Sequence, residues 1–161
     1  MELNTKGRYA VTALADLAKH AGEGSVPLSS IAVRQGLSLA YLEQLFLKLR
    51  RAGLVESARG RAGGYKLGKP ASDMTVGEIM LAVDEGVRMT RCSGDESAPC
   101  LAGTRCLTHD LWEALGDEIA AFLGRVTLAE VIDGSLTSRR RAAAGSREAR
   151  RTSEPGEHPN A

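Results

Sequence analysis

Apolar residues recur with a helical period through the first part of the chain, and the period then changes. Over residues 5–21, Ala10, Leu14, Leu17, Ala18 and Ala21 return at intervals of three and four, predicting an amphipathic helix that Gly22 stops. Residues 22–27 read as a loop. A short helix is expected over 28–34 with Leu28, Ile31 and Ala32 turned inward, and Gln35-Gly36-Leu37 makes a tight turn. Ser38 is a good N-cap for a third helix running to about Ala52, and Gly53 ends it. On that helix Leu39, Leu42, Leu45, Phe46 and Leu49 fall within one arc, which is expected to face a core. The opposite arc carries Ala40, Gln44, Leu47, Lys48 and Arg51, with Glu43 at its edge.

From residue 54 the pattern reads as strand. Leu54-Val55-Glu56-Ser57 and Tyr65-Lys66-Leu67 flank a glycine-rich tip, Ala58-Arg59-Gly60-Arg61-Ala62-Gly63-Gly64, and Lys69-Pro70 closes the unit. Three helices followed by a basic hairpin are the layout of a winged helix-turn-helix. Residues 75–83 predict another short helix, capped by Asp73 or Thr75. Residues 84–107 show no periodicity and form a long loop, a feature that in a compact domain is usually functional or disordered. A strong helical pattern resumes at Thr108 through Leu111, Trp112, Leu115, Ile119, Phe122 and Leu123, a span of about 25 Å at the rise of a helix. Its apolar stripe exceeds what one small domain needs, so it reads as a dimerisation helix. A short helix over 127–132 follows. After Leu136 the chain turns Ser/Arg/Ala/Gly/Pro/Glu-rich, with the composition of a disordered tail.

The expected fold class is therefore mainly α: a winged helix-turn-helix with a small β-hairpin wing and a long dimerisation helix. The expected division is a DNA-binding domain over 1–70, a linking helix and loop over 71–107, a dimerisation helix and short helix over 108–136, and a tail over 137–161. No apolar run approaches the ~20 residues that span a bilayer, and the N-terminus lacks a signal-peptide pattern, so a soluble, cytoplasmic protein without membrane partners is expected.

Charge sharpens this division. The formal net charge of +1 conceals 11 Lys+Arg against 5 Asp+Glu in residues 1–70, and 4 against 12 in residues 71–136. A basic block beside an acidic one suggests that the first meets a polyanion and the second something else. Recognition helices set their N-terminal residues against base edges in the major groove, which nominates Ser38, Ala40, Tyr41, Glu43 and Gln44. Gln pairs with adenine through N6 and N7, and Glu accepts from the cytosine amino group. Lys48, Arg50 and Arg51 lie further along, where phosphate contacts are expected. Arg59 and Arg61 on a slim hairpin suit a narrow minor groove, where negative potential concentrates. A nucleotide-binding loop does not fit this tip, because no Gly-Lys-Ser/Thr closes it and no helix follows directly.

The three cysteines all lie in or beside the long loop, in the pattern Cys92-x7-Cys100-x5-Cys106-x2-His109. An odd count without a secretion signal points away from a disulfide framework and toward metal or redox chemistry. Three thiols and an imidazole suit zinc as Cys3His, or an iron–sulfur cluster with one histidine ligand. Zinc sites usually show tighter knuckles, and these gaps favour a roomier object. The polar surroundings, Ser93-Gly94-Asp95-Glu96-Ser97, argue against three inertly buried thiols. His20 and His158 have no such company and read as surface residues.

Several stretches together resemble the IscR family of iron–sulfur cluster regulators. They are Thr5-Lys6-Gly7-Arg8-Tyr9-Ala10-Val11-Thr12-Ala13, Leu39-Ala40-Tyr41-Leu42-Glu43-Gln44-Leu45-Phe46, Arg59-Gly60-Arg61-Ala62-Gly63-Gly64-Tyr65, Val76-Gly77-Glu78-Ile79, Ala82-Val83-Asp84-Glu85 and Cys106-Leu107-Thr108-His109-Asp110-Leu111-Trp112. The resemblance runs from residue 1 to about 134. It implies a homodimeric bacterial regulator on a double-stranded DNA operator, holding a [2Fe–2S] cluster through Cys92, Cys100, Cys106 and His109. It also implies control of cluster-assembly genes, usually by repression, with the assembly machinery as the source of the cluster. Two departures stand out: a longer gap between Cys92 and Cys100 than is usual, and Ala40 where serine is common.

Related regulators that sense nitric oxide with a [4Fe–4S] cluster typically borrow a carboxylate from the N-terminal helix, and Thr5-Lys6-Gly7-Arg8 offers none. A small iron–sulfur electron carrier or cluster donor is the alternative of another class. It predicts no salt-dependent DNA affinity. A regulator with structural zinc is a third option. No nucleophile–base pair or paired carboxylates stand out, so no enzymatic activity is expected. The mechanism implied is that cluster loading orders the loop and fixes the dimer helix relative to the DNA-binding block.

Overall fold

The computed structural model describes residues 5–22, 24–58, 63–86 and 106–136. Helix α1 (Thr5–His20) forms the floor of the core with Ala10, Ala13, Leu14 and Leu17 fully buried, as its three-four spacing requires. Helix α2 (Leu28–Gln35) buries Leu28, Ile31 and Ala32, as expected. Its end depends on Gly36, whose φ of 63° lies in the left-handed region that a side chain would disfavour, and whose N–H donates to the carbonyl of Ala32. That reversal places Ser38 at the start of helix α3 (Leu39–Arg51), where its hydroxyl accepts from the Tyr41 N–H at 3.4 Å.

Helix α3 buries Leu42, Leu45, Phe46 and Leu49. Leu39 departs from the helical wheel and is 42% exposed. A wheel assumes that the core flanks the whole helix, whereas Leu39 stands at its first residue, ahead of that core. Strands β1 (Val55–Ala58) and β2 (Gly64–Leu67) pair antiparallel from Val55↔Leu67 to Ala58↔Gly64. The hairpin is anchored twice. Tyr65 sets its ring edge-on to Phe46 with centroids 4.9 Å apart, and its backbone exchanges two 2.9 Å hydrogen bonds with Val26. Gly64 is required at this junction, because a Cβ there would lie 2.5 Å from the Val26 carbonyl.

A 3-10 turn over Ala71–Asp73, which the apolar pattern does not signal, leads into helix α4 (Val76–Ala82). Thr75 rather than Asp73 caps it, its hydroxyl accepting from the Glu78 N–H at 3.2 Å. Helices α5 (His109–Arg125) and α6 (Leu128–Asp133) follow, and α6 opens with a capping box between Thr127 and Glu130. Leu128 of α6 and Met74, Ile79 and Val83 join the same core as α1 to α3, so α6 packs back onto the first block. The joint is stitched by Val76 N–H to Val126 O at 2.8 Å and Leu128 N–H to Met74 O at 2.7 Å.

A buried ion pair ties α1 to α2. The Asp16 side chain is 1% exposed, and Arg34 forks onto both its oxygens while Gln35 donates to Oδ2 at 2.6 Å. Burial pushes its carboxyl up, but the hydrogen bonds from Arg34 and Gln35 and the charges of Arg34 and His20 outweigh that and hold it below its ordinary value. His20 is consequently more than a plain surface residue: its Nδ1 lies 2.8 Å from the Asp16 carbonyl oxygen. Residues 87–105 of the loop expected over 84–107, and the tail expected over 137–161, lie outside the described residues.

Candidate nucleic-acid interface and metal centre

The exposed face of α3 is the one the helical wheel separates from the core. Ser38, Ala40, Glu43, Gln44 and Arg51 are exposed, and Leu47 is 39% exposed. Tyr41 stands differently. It is half-buried, with its ring at right angles to that of Tyr9 at 6.0 Å, so it braces α3 against α1. Arg59 and Arg61 fall outside the described residues, but the strands that carry them are fixed against α3 through Phe46 and Tyr65.

Lys48 is also less free than its place on the wheel suggests. Its ammonium meets Asp84 Oδ2 at 2.5 Å, with the lysine side chain 35% and the aspartate side chain 75% exposed. The hydrogen bond and charge of Lys48 hold the Asp84 carboxyl below its usual value. Glu85 beside it pairs with Lys6 of α1 at 3.3 Å. Sequence reasoning missed Asp84, since nothing local marks a carboxylate for a lysine 36 positions away.

Of the four candidate ligands, Cys106 and His109 are described, and Cys92 and Cys100 lie outside the described residues. Cys106 is half-buried in the turn before α5, and His109 is the first residue of that helix and 7% exposed. Its N–H donates to the Cys106 carbonyl at 3.1 Å, so one turn fixes the two residues relative to each other. A thiol and an imidazole held this way suit soft or borderline metals, which is the fit an iron–sulfur cluster or zinc demands of its donors. Nε2 of His109 faces Glu113 at 3.8 Å, and His109, Asp110 and Glu113 bring ligand atoms within 4.8 Å of one another. Asp110 has a separate reason to be there, since acidic groups are favoured in the first turn of a helix. Glu113 was legible in principle, because the i, i+4 spacing puts it over His109.

Past His109, much of the apolar stripe of α5 is exposed among the described residues. Among the described residues His109 is its one fully buried side chain, while Leu111, Trp112 and Phe122 are 61%, 41% and 53% exposed and Leu115 and Ile119 are half-buried. No helix among the described residues is long and apolar enough to cross a membrane.

A helix-turn-helix with an anchored hairpin wing and a polar face on its third helix defines a DNA-binding transcription regulator. The Rrf2 profile, described as an iron-dependent transcriptional regulator, matches residues 3–134, and the chain belongs to that family. It is 56% identical over 133 residues to the HTH-type transcriptional regulator IscR of Serratia proteamaculans, covering 83% of this chain and 80% of that protein. The IscR of Yersinia pestis is likewise 56% identical over the same shares. Among solved structures, T. potens IscR matches with a TM-score of 0.67 at 40% identity, over 84% of this chain and 88% of that one. CymR, the global cysteine regulator of B. subtilis, matches with a TM-score of 0.67 at 35% identity, over 83% and 97%.

Proposed function

We propose that this chain is a homodimeric repressor of iron–sulfur cluster assembly genes whose operator binding is set by a [2Fe–2S] cluster held by Cys92, Cys100, Cys106 and His109. The observation that carries the reading is the setting of Cys106 and His109 in one hydrogen-bonded turn at the head of α5, in a chain of an iron-dependent regulator family. When bound, such a cluster supplies iron whose presence depends on iron availability and on oxidants. His109 would offer an imidazole nitrogen from a buried helix start, and Cys106 a sulfur from the preceding turn. The assembly machinery would be the cluster's source.

The chain's own residues do the rest. Leu111, Trp112, Leu115, Ile119 and Phe122 cover their counterparts in a second copy, which accounts for the apolar side chains of α5 exposed among the described residues. A two-fold pair presents two copies of α3 to successive major-groove faces of a palindromic operator. Ser38, Ala40, Tyr41, Glu43 and Gln44 read bases, Lys48 and Arg51 meet phosphates, and Arg59 and Arg61 enter the minor groove. Optical absorption and Mössbauer spectra of anaerobically purified protein test the cluster assignment. A [2Fe–2S] signature that His109→Ala perturbs is expected, whereas colourless zinc-loaded protein or a [4Fe–4S] signature would overturn it.

A further inference from the structure

Asp84 stands at a backbone position that normally goes to glycine. Helix α4 ends in a paired reversal: the Asp84 N–H donates to Leu81 O at 3.0 Å and the Glu85 N–H to Met80 O at 3.0 Å. This is the Schellman arrangement, and it places Asp84 at a φ of 60°. Among the described residues it is the one non-glycine with positive φ, and Gly86 lies two residues later. A β-carbon is unfavourable there, so the backbone gives no reason to prefer aspartate over glycine. The carboxylate supplies the reason, because it reaches Lys48 on the polar face of α3. The pair is too exposed to stabilise the fold much, which leaves the lysine's charge as the quantity it controls.

We propose that Asp84 is a positioning residue of the DNA interface, holding the Lys48 ammonium and competing with duplex phosphate for it. The inference rests on the reading of α3 as the DNA-facing helix. A lysine already neutralised by a carboxylate displaces fewer counterions from the duplex than a free one. Asp84 also belongs to the segment that leads from α4 toward Cys92, eight positions on, while Glu85 anchors the same segment to Lys6. The pair therefore joins the approach to the sensing loop directly to the recognition helix.

The test is salt-dependent binding of full-length protein to a fluorescent duplex, comparing wild type, D84N, D84G, K48Q and D84N/K48Q. Asparagine and glycine both accept the left-handed backbone, so both variants are expected to melt no lower than wild type. Both should bind roughly fivefold tighter near 0.1 M salt, with the slope of log K against log salt steeper by about 0.9. The gain should vanish in the K48Q background. An equal gain there would mean that Asp84 merely repels the duplex, and would overturn the proposal. So would unchanged affinity and slope in D84N and D84G, or lower melting without tighter binding. Wild-type protein with no salt-dependent duplex affinity would instead sink the DNA-facing reading itself.

Discussion

Asp16 is a charged residue that the core tolerates because three donor groups meet it. Its carboxyl is held below the ordinary range, so its contribution to stability is present above the unfolded carboxylate pKa of about 4 and is lost as pH falls through the lower folded value. Thermal melts should therefore show an acid-side loss that Asp16→Asn flattens. Asp16→Ala leaves Arg34 and Gln35 without their acceptor and should cost about 2 kcal/mol in chemical denaturation. On the recognition helix, Gln44→Ala should change base preference with little loss of stability, because the side chain is exposed. A lost bidentate contact corresponds to about 1–3 kcal/mol of discrimination at one operator position, measurable by competition among operator variants. The residues that local pattern alone misjudged share one cause. Leu39 was placed on the core face by spacing, and His20 reads as exposed but has a partner in Asp16, because exposure and partners depend on which elements lie nearby.

At the scale of elements, the helices were legible because each has an apolar period and a start or stop residue: Gly36, Ser38, Thr127. The wing was legible as a hairpin, but its attachment was not. The pairing of Val26 with Tyr65 joins a loop residue to a strand across a long stretch of chain, and no local signal encodes it. Gly64 makes that attachment testable. Gly64→Ala drives a methyl group into the Val26 backbone and should cost about 2 kcal/mol, with a loss of duplex affinity from displacing the wing. The candidate metal centre was legible as a spacing, since Cys106 and His109 lie within one turn of each other. The Lys48–Asp84 contact was not, since only the return of α4 beside α3 creates it.

At the scale of the whole molecule, one core ties α6 back to α1, while Leu111, Trp112 and Phe122 of α5 stand exposed among the described residues. Trp112→Ala combined with Phe122→Ala should halve the mass seen by sedimentation equilibrium and weaken binding to a palindromic duplex far more than to a single half-site. On the proposed reading, the basic first block acts as output and the turn carrying Cys106 and His109 as input. In that reading the two are coupled. The coupling is tested most directly by fluorescence anisotropy of operator duplexes with cluster-free and anaerobically reconstituted protein, across operators of differing sequence. Reconstitution should change the ranking of operators, whereas identical affinities and preferences for the two forms would rule the coupling out.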